Sequence, residues 1–469
     1  MRRVLAFDLG ASSGRAILGG YDGNSLVCRE VHRFENCPKE RQGCLRWDFE
    51  ALMGHIRTGI KKAGGVDSLS FDTWGVDFGL VDERGRLLAD PVHYRDVRTR
   101  GAAEKSAAYL SPDQLYQATG NQIMDINTLF QLQKTDLGGA DRLLFMPDLF
   151  AQQLCGAAAC ERTIASTSQM LDPVSREWSG LVLRTFQIPG SLFAPLTDSA
   201  SVIGTYQGSR VIAGAGHDTQ CAVAAMTDIT GEAAFLSCGT WSLLGCELEH
   251  PILTRESRIA QLSNELGANG RINYLKNIVG LWLIQESRRQ WQREGRRYSY
   301  AQLDGLADAA PPLRAFIDPD GPEFAAPGDM PERIRECCRR TGQPVPEGPG
   351  QVARCIYESL ALKYRMALEQ ISRLTGRRFA ALHILGGGAN SGLLCQMTAD
   401  CLGIPVAAGP VEATARGNII LQLTALGDLS GVEEGRRLLA ENQEIRWFFP
   451  REGRWEEAYR RYATLFGGR

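Results

Sequence analysis

The stretch 6-AFDLGASSGRAIL-18 places a lone aspartate and a turn of small residues between two apolar runs. Both runs are rich in β-forming residues, so we predict a hairpin whose tip lies at residues 10–15. Backbone N–H groups exposed in such a tip form a concavity that binds anions, and its small side chains let phosphate oxygens approach. A tight turn capped by Asp8 is the alternative. A matching turn elsewhere in the chain would favour the phosphate-binding interpretation.

Length and composition limit the kind of protein. A chain of 469 residues is too long for one core and predicts two or three domains. It is 44% hydrophobic and 23% charged, with a net charge of -2, which is typical of a globular protein and gives no reason to expect nucleic acid or membrane as a partner. No apolar run is long enough to span a bilayer. Because Asp8 interrupts the N-terminal apolar segment, we expect no signal peptide.

The cysteine pattern predicts a reducing compartment. The 13 cysteines are scattered without zinc-type pairs, so we expect free thiols and a cytoplasmic location. A disulfide between Cys338 and Cys355 remains an alternative for those two residues. The six histidines show no spacing that predicts a metal cage.

The first half of the chain predicts a three-stranded meander, a helix and further strands, unlike the strict alternation of a Rossmann fold. Asp48 is the expected N-cap of that helix, and Gly64 its end. The predicted strands are 3–9, 14–21 and 25–34, the helix is 48–64, and 67–85 holds two more strands.

The second half repeats this opening. The stretch 233-AAFLSCGTWSLLGC-246 is again strand, turn and strand, so we predict two domains, 1–229 and 230–469, whose hairpin tips face each other across a cleft. Helical patterns cover 277–291 and 351–374, residues 310–331 are predicted as loop with one short strand, and 380–385 as a strand.

If the protein binds phosphate, it does so through a motif other than a P-loop, because no G-x-x-x-x-G-K-[ST] sequence occurs. The two hairpin tips, at 10–15 and 237–242, provide one. Asp8, at the end of its strand, is placed to hold Mg²⁺, which prefers carboxylates and retained waters.

Two more turns carry candidate chemistry. In 212-IAGAGHDTQCAVAAM-226 a strand leads into a glycine turn and a helix. There Asp218 is either the helix N-cap or an acceptor for a proton from an attacking hydroxyl. In 384-ILGGGANS-391 the glycines either let an adenine or ribose lie on the backbone or make a tight strand-to-helix turn.

Together these motifs resemble the FGGY family of carbohydrate kinases. The segments that carry the resemblance are DLGASSGR, DTWGVDF, YRDVRT, AGHDTQ, SCGTWSL, LKNIVGLWLIQ, ILGGGANS and GPVEATARGN, in order from about residue 4 to about residue 425. Within the family, DTWGVDF, YRDVRT and LKNIVGLWLIQ are closest to its kinases of L-rhamnulose. The resemblance implies an α/β fold of two actin-like (ribonuclease H-like) domains with mixed sheets flanking a deep cleft. It also implies Mg²⁺ and ATP as cofactors and the 1-hydroxyl of a ketose as phosphoryl acceptor.

The family's site residues map onto this chain by motif. The resemblance implies that 1–229 binds the sugar and carries the catalytic base, that 230–469 binds the nucleotide, and that the protein is a monomer or small homo-oligomer. The implied catalytic base is Asp218 and the metal ligand Asp8. The implied sugar-binding residues are Gly75, His217, Asp218, Thr219 and Asn277, and the nucleotide-binding residues are Ala11, Ser12, Ser13, Gly14, Arg15, Thr240, Gln285 and Gly387.

Some residues depart from the family pattern. Cys238 stands where a serine is expected, Leu266 interrupts an expected glycine pair, and Asp125 lies in a segment that is apolar in relatives. Trp74 is either a sugar-facing wall or a core residue.

Because of Asp125, L-fuculose or D-xylulose remains an alternative acceptor to L-rhamnulose. A catalytically silent, nucleotide-binding actin-like regulator is the third hypothesis. The presence of Asp8, Asp218 and Asn277 argues against it, since a protein that only binds has no use for a positioned base.

Overall fold

The computed structural model describes residues 1–41, 43–442 and 444–467. Contacts divide the chain into two compact units. Unit 1 comprises Met1–Ile229, Glu247–Leu275 and Glu412–Gln443, and unit 2 comprises Thr230–Cys246, Lys276–Val411 and Glu444–Arg469.

The first break thus falls where the sequence predicts the domain boundary, whereas two later segments pack back into unit 1. The assignment of sugar binding to 1–229 and nucleotide binding to 230–469 stays a prediction.

The strands of the described residues are numbered in chain order. They are β1 (Arg2–Leu9), β2 (Ser13–Tyr21), β3 (Leu26–Glu35), β4 (Lys39–Arg41), β5 (Cys44–Arg46), β6 (Ser68–Thr73), β7 (Phe78–Val81), β8 (Arg142–Phe145), β9 (Cys160–Glu161), β10 (Leu196–Thr197), β11 (Ser201–Tyr206), β12 (Ser209–Ala213), β13 (Ala233–Cys238), β14 (Trp241–Leu248), β15 (Ser263–Leu266), β16 (Ile272–Val279), β17 (Ala381–Leu385), β18 (Val406–Ala408) and β19 (Arg446–Phe448).

The helices are numbered in the same way. They are α1 (Phe49–Ala63), α2 (Ala102–Ser106), α3 (Pro112–Thr119), α4 (Thr128–Leu132), α5 (Met146–Cys155), α6 (Arg162–Ala165), α7 (Gly180–Thr185), α8 (Asp218–Ala224), α9 (Arg255–Ile259), α10 (Trp282–Arg293), α11 (Tyr300–Ala309), α12 (Met330–Arg340), α13 (Pro349–Thr375), α14 (Gly392–Leu402), α15 (Ala413–Leu426), α16 (Val432–Asn442) and α17 (Trp455–Phe466). Short 3-10 helices lie at Val97–Thr99, Gly190–Leu192, Pro322–Phe324 and Gly387–Asn390.

Unit 1 is built on a mixed sheet with strand order β11-β12-β6-β1-β2-β3. The meander β1-β2-β3 is antiparallel, and β6 adds to β1 in parallel, followed by β12, also parallel. Helix α1 covers one face, where Gly59 lets the helix approach Phe7: a Cβ at Gly59 would lie 2.8 Å from that ring. The carboxyl ends of β1, β6 and β12 therefore meet at one edge of the sheet, where α/β folds place their ligands.

Unit 2 repeats this topology. Its sheet runs β16-β14-β13-β17-β18-β19, with β13 antiparallel to β14 and parallel to β17, and β17 parallel to β18. The predicted repeat of the opening hairpin is therefore confirmed at the level of strand order. Strand β15 pairs with residues 272–275 of β16, a part of that strand that belongs to unit 1.

Most of the predicted elements are confirmed, including α1 with Asp48 as its N-cap and Gly64 at its end. Two predictions are wrong. The helix predicted over 277–291 begins only at Trp282, because residues 277–279 continue β16. The short strand predicted within 310–331 is absent from this described segment, which holds the 3-10 helix Pro322–Phe324 and the start of α12.

Among the described residues, no helix has both the length and the apolar character that crossing a bilayer requires. All the cysteines, including Cys338 and Cys355, carry free thiols.

Candidate active site

The turn that carries Asp218 is fixed by buried neighbours. Strand β12 enters it, and the backbone N–H of Gly216 donates to Glu161 Oε2 at 2.9 Å while the carbonyl of Gly216 accepts from Thr73 N at 2.8 Å. A Cβ at Gly216 would lie 2.9 Å from Pro147 and 3.0 Å from Ile164, so a glycine is needed for this close approach. Sequence reasoning missed Glu161, since nothing near it marks a site.

Asp218 is the first residue of α8, and His217 occupies the N-cap position. The interpretation of Asp218 as the N-cap is therefore wrong. The Asp218 side chain is 31% exposed, so it is open to a ligand. Burial raises its pKa to about 6, with His217 lowering it and Asp8 raising it further. A carboxylate with this pKa is ionised at neutral pH and still basic enough to accept a proton.

His217 lies between two carboxylates. Its Nδ1 is 3.0 Å from Glu265 Oε2, and its Nε2 is 3.5 Å from Asp218 Oδ1. Burial works against the charged ring, but Glu265 above all, with Asp218 and Glu161, outweighs it and raises the pKa of His217. The neighbouring Thr219 is buried, and its hydroxyl donates to Asp218 Oδ1 at 3.4 Å.

Gly75 lies near this turn. Strand β6 ends at Thr73, which forms a parallel bridge with His217. A Cβ at Gly75 would lie 3.3 Å from the Thr167 side chain. The structure thus brings the sugar candidates of unit 1, namely Gly75, His217, Asp218 and Thr219, to one end of β6 and β12.

The tryptophan beside Gly75 belongs to the core. Trp74 is buried, its ring lies 4.0 Å from that of Trp47, and both indole N–H groups donate to Asp77 Oδ2. Burial raises the pKa of Asp77 to about 6, although these hydrogen bonds oppose the shift. Of the two interpretations of Trp74, the structure supports the core residue.

The first hairpin confirms the predicted strand–turn–strand. Asp8 faces Arg15 across β1 and β2, and Arg15 Nη2 donates to Asp8 Oδ2 at 2.5 Å. Arg15 also forms an ion pair with Glu412, the residue before α15. Within the described chain the N–H groups of Ala11 and Ser12 have no acceptor, so they are available to an anion.

Ser13 and Gly14 begin β2. Gly14 is buried against Phe34, because a Cβ there would lie 2.2 Å from the ring. Gly14 therefore packs beneath the hairpin tip, and the assignment of Ser13 and Gly14 to nucleotide binding stays a prediction.

A magnesium ion fits this edge of unit 1. Mg²⁺ takes one or two carboxylates together with water and phosphate oxygens, so it needs no cage of protein ligands. No group of three or more metal-ligating side chains occurs in the described ranges. Asp8 is buried, and the Oδ1 atom of Asp72, its partner on the neighbouring strand, has no hydrogen-bond partner. A bound cation would give this oxygen a partner and favour the ionised form of the Asp72 carboxyl against the effect of burial.

The nucleotide candidates of unit 2 lie on two turns. Thr240, between β13 and β14, donates from its hydroxyl to Gln285 Oε1 at 3.3 Å. Its carbonyl accepts from Gly280 N at 3.1 Å and Trp282 N at 3.2 Å. These bonds hold the start of α10, and with it Gln285, against the second hairpin.

The glycine triplet is the other turn. Gly387 is exposed, and a Cβ there would approach Cys238 O only to 3.9 Å. A Cβ at Gly388, by contrast, would lie 2.2 Å from Cys238 Sγ. Gly387 thus presents free backbone surface. The thiol of Cys238, where a serine was expected, fills the space that Gly388 leaves.

Asn277 lies on β16 and is half-buried. The neighbouring Lys276 is buried, and burial lowers its pKa to about 8, with nearby Lys363 adding to the effect. Asn277 belongs to unit 2, whereas the other sugar candidates belong to unit 1.

Asp125, which put the sugar preference in doubt, has a local function. Its Oδ2 accepts from Gly101 N at 2.8 Å, and its Oδ1 accepts from Ala103 N at 2.9 Å. The carboxylate therefore holds the beginning of α2.

Two family models match this chain. They are described as the N-terminal and C-terminal domains of the FGGY family of carbohydrate kinases, and they cover residues 3–231 and 234–426. The chain belongs to the FGGY family of carbohydrate kinases. The resemblance seen in the motifs is thereby confirmed, and the protein is a carbohydrate kinase. Membership in a kinase family implies ATP as phosphoryl donor and a sugar as acceptor.

Curated relatives of this FGGY kinase extend over its length. A rhamnulokinase of Bacteroides thetaiotaomicron is 41% identical over 479 residues, covering 98% of this chain and 98% of the relative. A rhamnulokinase of Enterococcus faecalis is 39% identical over 455 residues, covering 93% and 92%.

Solved structures show the same fold at low identity. A ligand-bound xylulose kinase from Lactobacillus acidophilus has a TM-score of 0.78 at 14% identity, covering 100% of this chain and 98% of the other. A Plasmodium falciparum glycerol kinase with ADP has a TM-score of 0.77 at 13% identity, covering 100% and 97%. The predicted two-domain, actin-like α/β fold with mixed sheets is confirmed.

Proposed function

We propose that this FGGY kinase transfers the γ-phosphoryl group of ATP to the 1-hydroxyl of L-rhamnulose. The observation that supports this acceptor is the nearly full-length similarity to two rhamnulokinases, at 41% and 39% identity. The products are ADP and L-rhamnulose 1-phosphate.

Asp218 is the proposed general base. As the sugar oxygen bonds to the γ-phosphorus and the bond to the bridging oxygen of ADP breaks, the hydroxyl proton passes to the Asp218 carboxylate. A pKa of about 6 leaves this carboxylate ionised at pH 7. Phosphoryl transfer proceeds through a loose transition state, so positioning and charge stabilisation account for most of the catalysis.

The first hairpin is the proposed phosphate site. The N–H groups of Ala11 and Ser12, which lack acceptors in the described chain, donate to phosphate oxygens. Asp8 would hold Mg²⁺, which when bound with ATP neutralises phosphate charge. Arg15 forms ion pairs with Asp8 and Glu412, so it acts by orienting the Asp8 carboxylate.

The remaining assignments follow the family motifs. Gly75, His217, Thr219 and Asn277 bind the sugar, and Thr240, Gln285 and Gly387 bind the nucleotide. The exposed backbone of Gly387 suits contact with an adenine or ribose. The free cysteines suit the proposed cytoplasmic location, where thiols stay reduced.

The proposal is tested by ADP release with L-rhamnulose, L-fuculose and D-xylulose, each with and without Mg²⁺. We expect release only with sugar and Mg²⁺ together, and the highest kcat/KM with L-rhamnulose. A higher kcat/KM with another ketose would replace the proposed acceptor. Absence of sugar-dependent ADP release with any ketose would contradict the kinase assignment of the site.

A further inference from the structure

The ring of His217 is held from the side opposite to Asp218 by a carboxylate to which no role has been assigned. Glu265 lies on β15, is buried, and approaches His217 Nδ1 at 3.0 Å, while Asp218 lies 3.5 Å from Nε2. All three residues belong to unit 1. We propose that Glu265 is a positioning residue that fixes the orientation and the charge of His217, and through it the readiness of Asp218 to accept a proton. This inference rests on the proposed function of Asp218.

Glu265 is itself held by a chain of hydrogen bonds. Gln220 Nε2 donates to Glu265 Oε2 at 2.7 Å, and Asn273 Nδ2 donates to Gln220 Oε1. Asn273 is the register partner of Glu265 on β16. Both Gln220 and Asn273 are buried. The carboxylate therefore cannot turn away from His217 without also breaking its buried hydrogen bond from Gln220, and a buried hydrogen bond is costly to leave unmade.

Three negatively charged side chains face His217. They come from β15, from the His217 turn and from β9, as Glu265, Asp218 and Glu161 respectively, and they raise the pKa of His217 against the effect of burial. An imidazolium beside Asp218 in turn lowers the pKa of that carboxyl. Glu265 stabilises the His217 imidazolium, because a buried positive charge needs a close negative partner. The imidazolium in turn favours the ionised form of Asp218.

The substitution Glu265→Gln separates charge from shape. The amide fills the same volume and can still hydrogen-bond His217, but the negative charge is lost. We then expect the pKa of His217 to fall, so that the ring is neutral over a wider pH range. Asp218 thereby loses a neighbouring positive charge, its pKa rises, and it ionises only at higher pH. A purely structural role would change stability and leave the pH dependence in place.

The experiment is the pH profile of kcat/KM for the sugar in the full-length enzyme. In Glu265→Gln we expect the acidic limb to move to higher pH. A displacement of about one pH unit would lower kcat/KM roughly fivefold at pH 6, the midpoint of the wild-type limb, and less than about twofold at pH 8.5. Glu265→Asp keeps the charge, so it should restore much of the acidic limb. Glu247→Gln is the matched control, because Glu247 is also a carboxylate of unit 1, with 8% side-chain exposure and an ion pair to Arg436. This variant should leave the acidic limb of the kcat/KM profile at its wild-type pH.

The titration of His217, followed by ¹⁵N NMR of labelled histidine, is independent of turnover. We expect the pKa of His217 to lie above its usual value in the wild type, because Glu265 lies beside its ring, and to fall in Glu265→Gln. A pKa of His217 at or below its usual value in the wild type, or an unchanged pH limb in a folded Glu265→Gln protein, would overturn the inference. The wild-type measurement applies even if Glu265→Gln fails to fold. If no ketose is phosphorylated, the proposed function fails, and the NMR titration still decides whether Glu265 controls the charge of His217.

Discussion

Asp218 combines two properties that a general base requires, namely partial exposure and a pKa raised to about 6. Because activity needs the ionised form, kcat/KM should fall as the pH decreases through about 6 and level off above it. Asp218→Asn keeps the shape and removes the proton acceptor, so kcat should fall on the order of 10²–10⁴-fold with the KM for ATP little changed. Steady-state kinetics between pH 5 and 9 measures both effects. A kcat within a few-fold of wild type would assign the base to another residue.

Asp125 is a carboxylate with a structural function, since both of its oxygens accept backbone N–H groups at the start of α2. Asp125→Ala should therefore lower the free energy of unfolding by about 1–2 kcal/mol, as for the loss of a helix cap. The order of preference among L-rhamnulose, L-fuculose and D-xylulose should not change. Denaturant unfolding and the sugar panel measure the two effects, with Asp198→Ala as the control, because Asp198 is 82% exposed. A changed sugar order would place this segment at the sugar after all.

Residues with local signatures could be predicted from the sequence, and residues with distant partners could not. Asp8 lies at the end of β1, and His217 and Asp218 lie in the turn and first helical position after β12, as predicted. Glu161 and Glu265 carry no local signal, because their partners Gly216 and His217 lie about fifty positions away along the chain. Only the fold brings them together.

At the scale of elements, helix α15 supports the phosphate edge of unit 1 with a buried polar ladder. Ser68 Oγ donates to Gln422, Gln422 Nε2 donates to Asn418 Oδ1, and Asn418 Nδ2 donates to Asp72 Oδ2 at 2.7 Å. Burial above all, and then Asp8, raises the pKa of Asp72 well above its usual range. The ladder therefore places a carboxyl with an unpaired oxygen beside Asp8.

The substitution Asn418→Asp would set two buried carboxyls against each other. At pH 8 the two carboxyls either ionise against burial and mutual repulsion or keep a proton that the unfolded chain would release. Either way we expect the free energy of unfolding to fall by about 3 kcal/mol or more. Protonation of either carboxyl relieves the repulsion, so the loss should shrink as the pH falls to 5. Thermal melts at pH 5 and 8 measure it, with Asn442→Asp on the exposed part of α16 as the control. An equal loss at both pH values would contradict this account of Asp72.

The helix that the sequence predicted to begin at residue 277 shows what an apolar pattern leaves out. In 278-IVGLWLI-284 no polar residue separates the end of β16 from the start of α10. The break is made by tertiary bonds, since Gly280 N and Trp282 N donate to Thr240 O. By contrast, α1 was predicted with both ends, because Asp48 and Gly64 are local caps.

At the scale of the whole molecule, the chain leaves and re-enters unit 1 twice. After Ile229 it returns for Glu247–Leu275 and again for Glu412–Gln443. The sequence predicted a single boundary at 229/230, because repeats and composition reveal where a fold begins again but not which distant segments complete it. Within unit 1 these returning segments supply Glu265, Glu412 and the polar face of α15.

This connectivity predicts that the fragment 1–229 is not an independent folding unit. Without 412–443, the strands β1 and β6 lose the cover of α15: Leu5 O loses its bond from Gln422 Nε2 at 3.1 Å, and Asp72 loses Asn418. Buried polar groups and apolar surface would then face water together, at a cost comparable to the net stability of a domain. We expect 1–229 to show no cooperative thermal transition by circular dichroism, and a peptide of residues 412–443 added in trans to restore part of one. The full-length chain in the same buffer is the control. A cooperative melt of 1–229 alone, within a few degrees of the full-length protein, would show that α15 is dispensable for the fold of this unit.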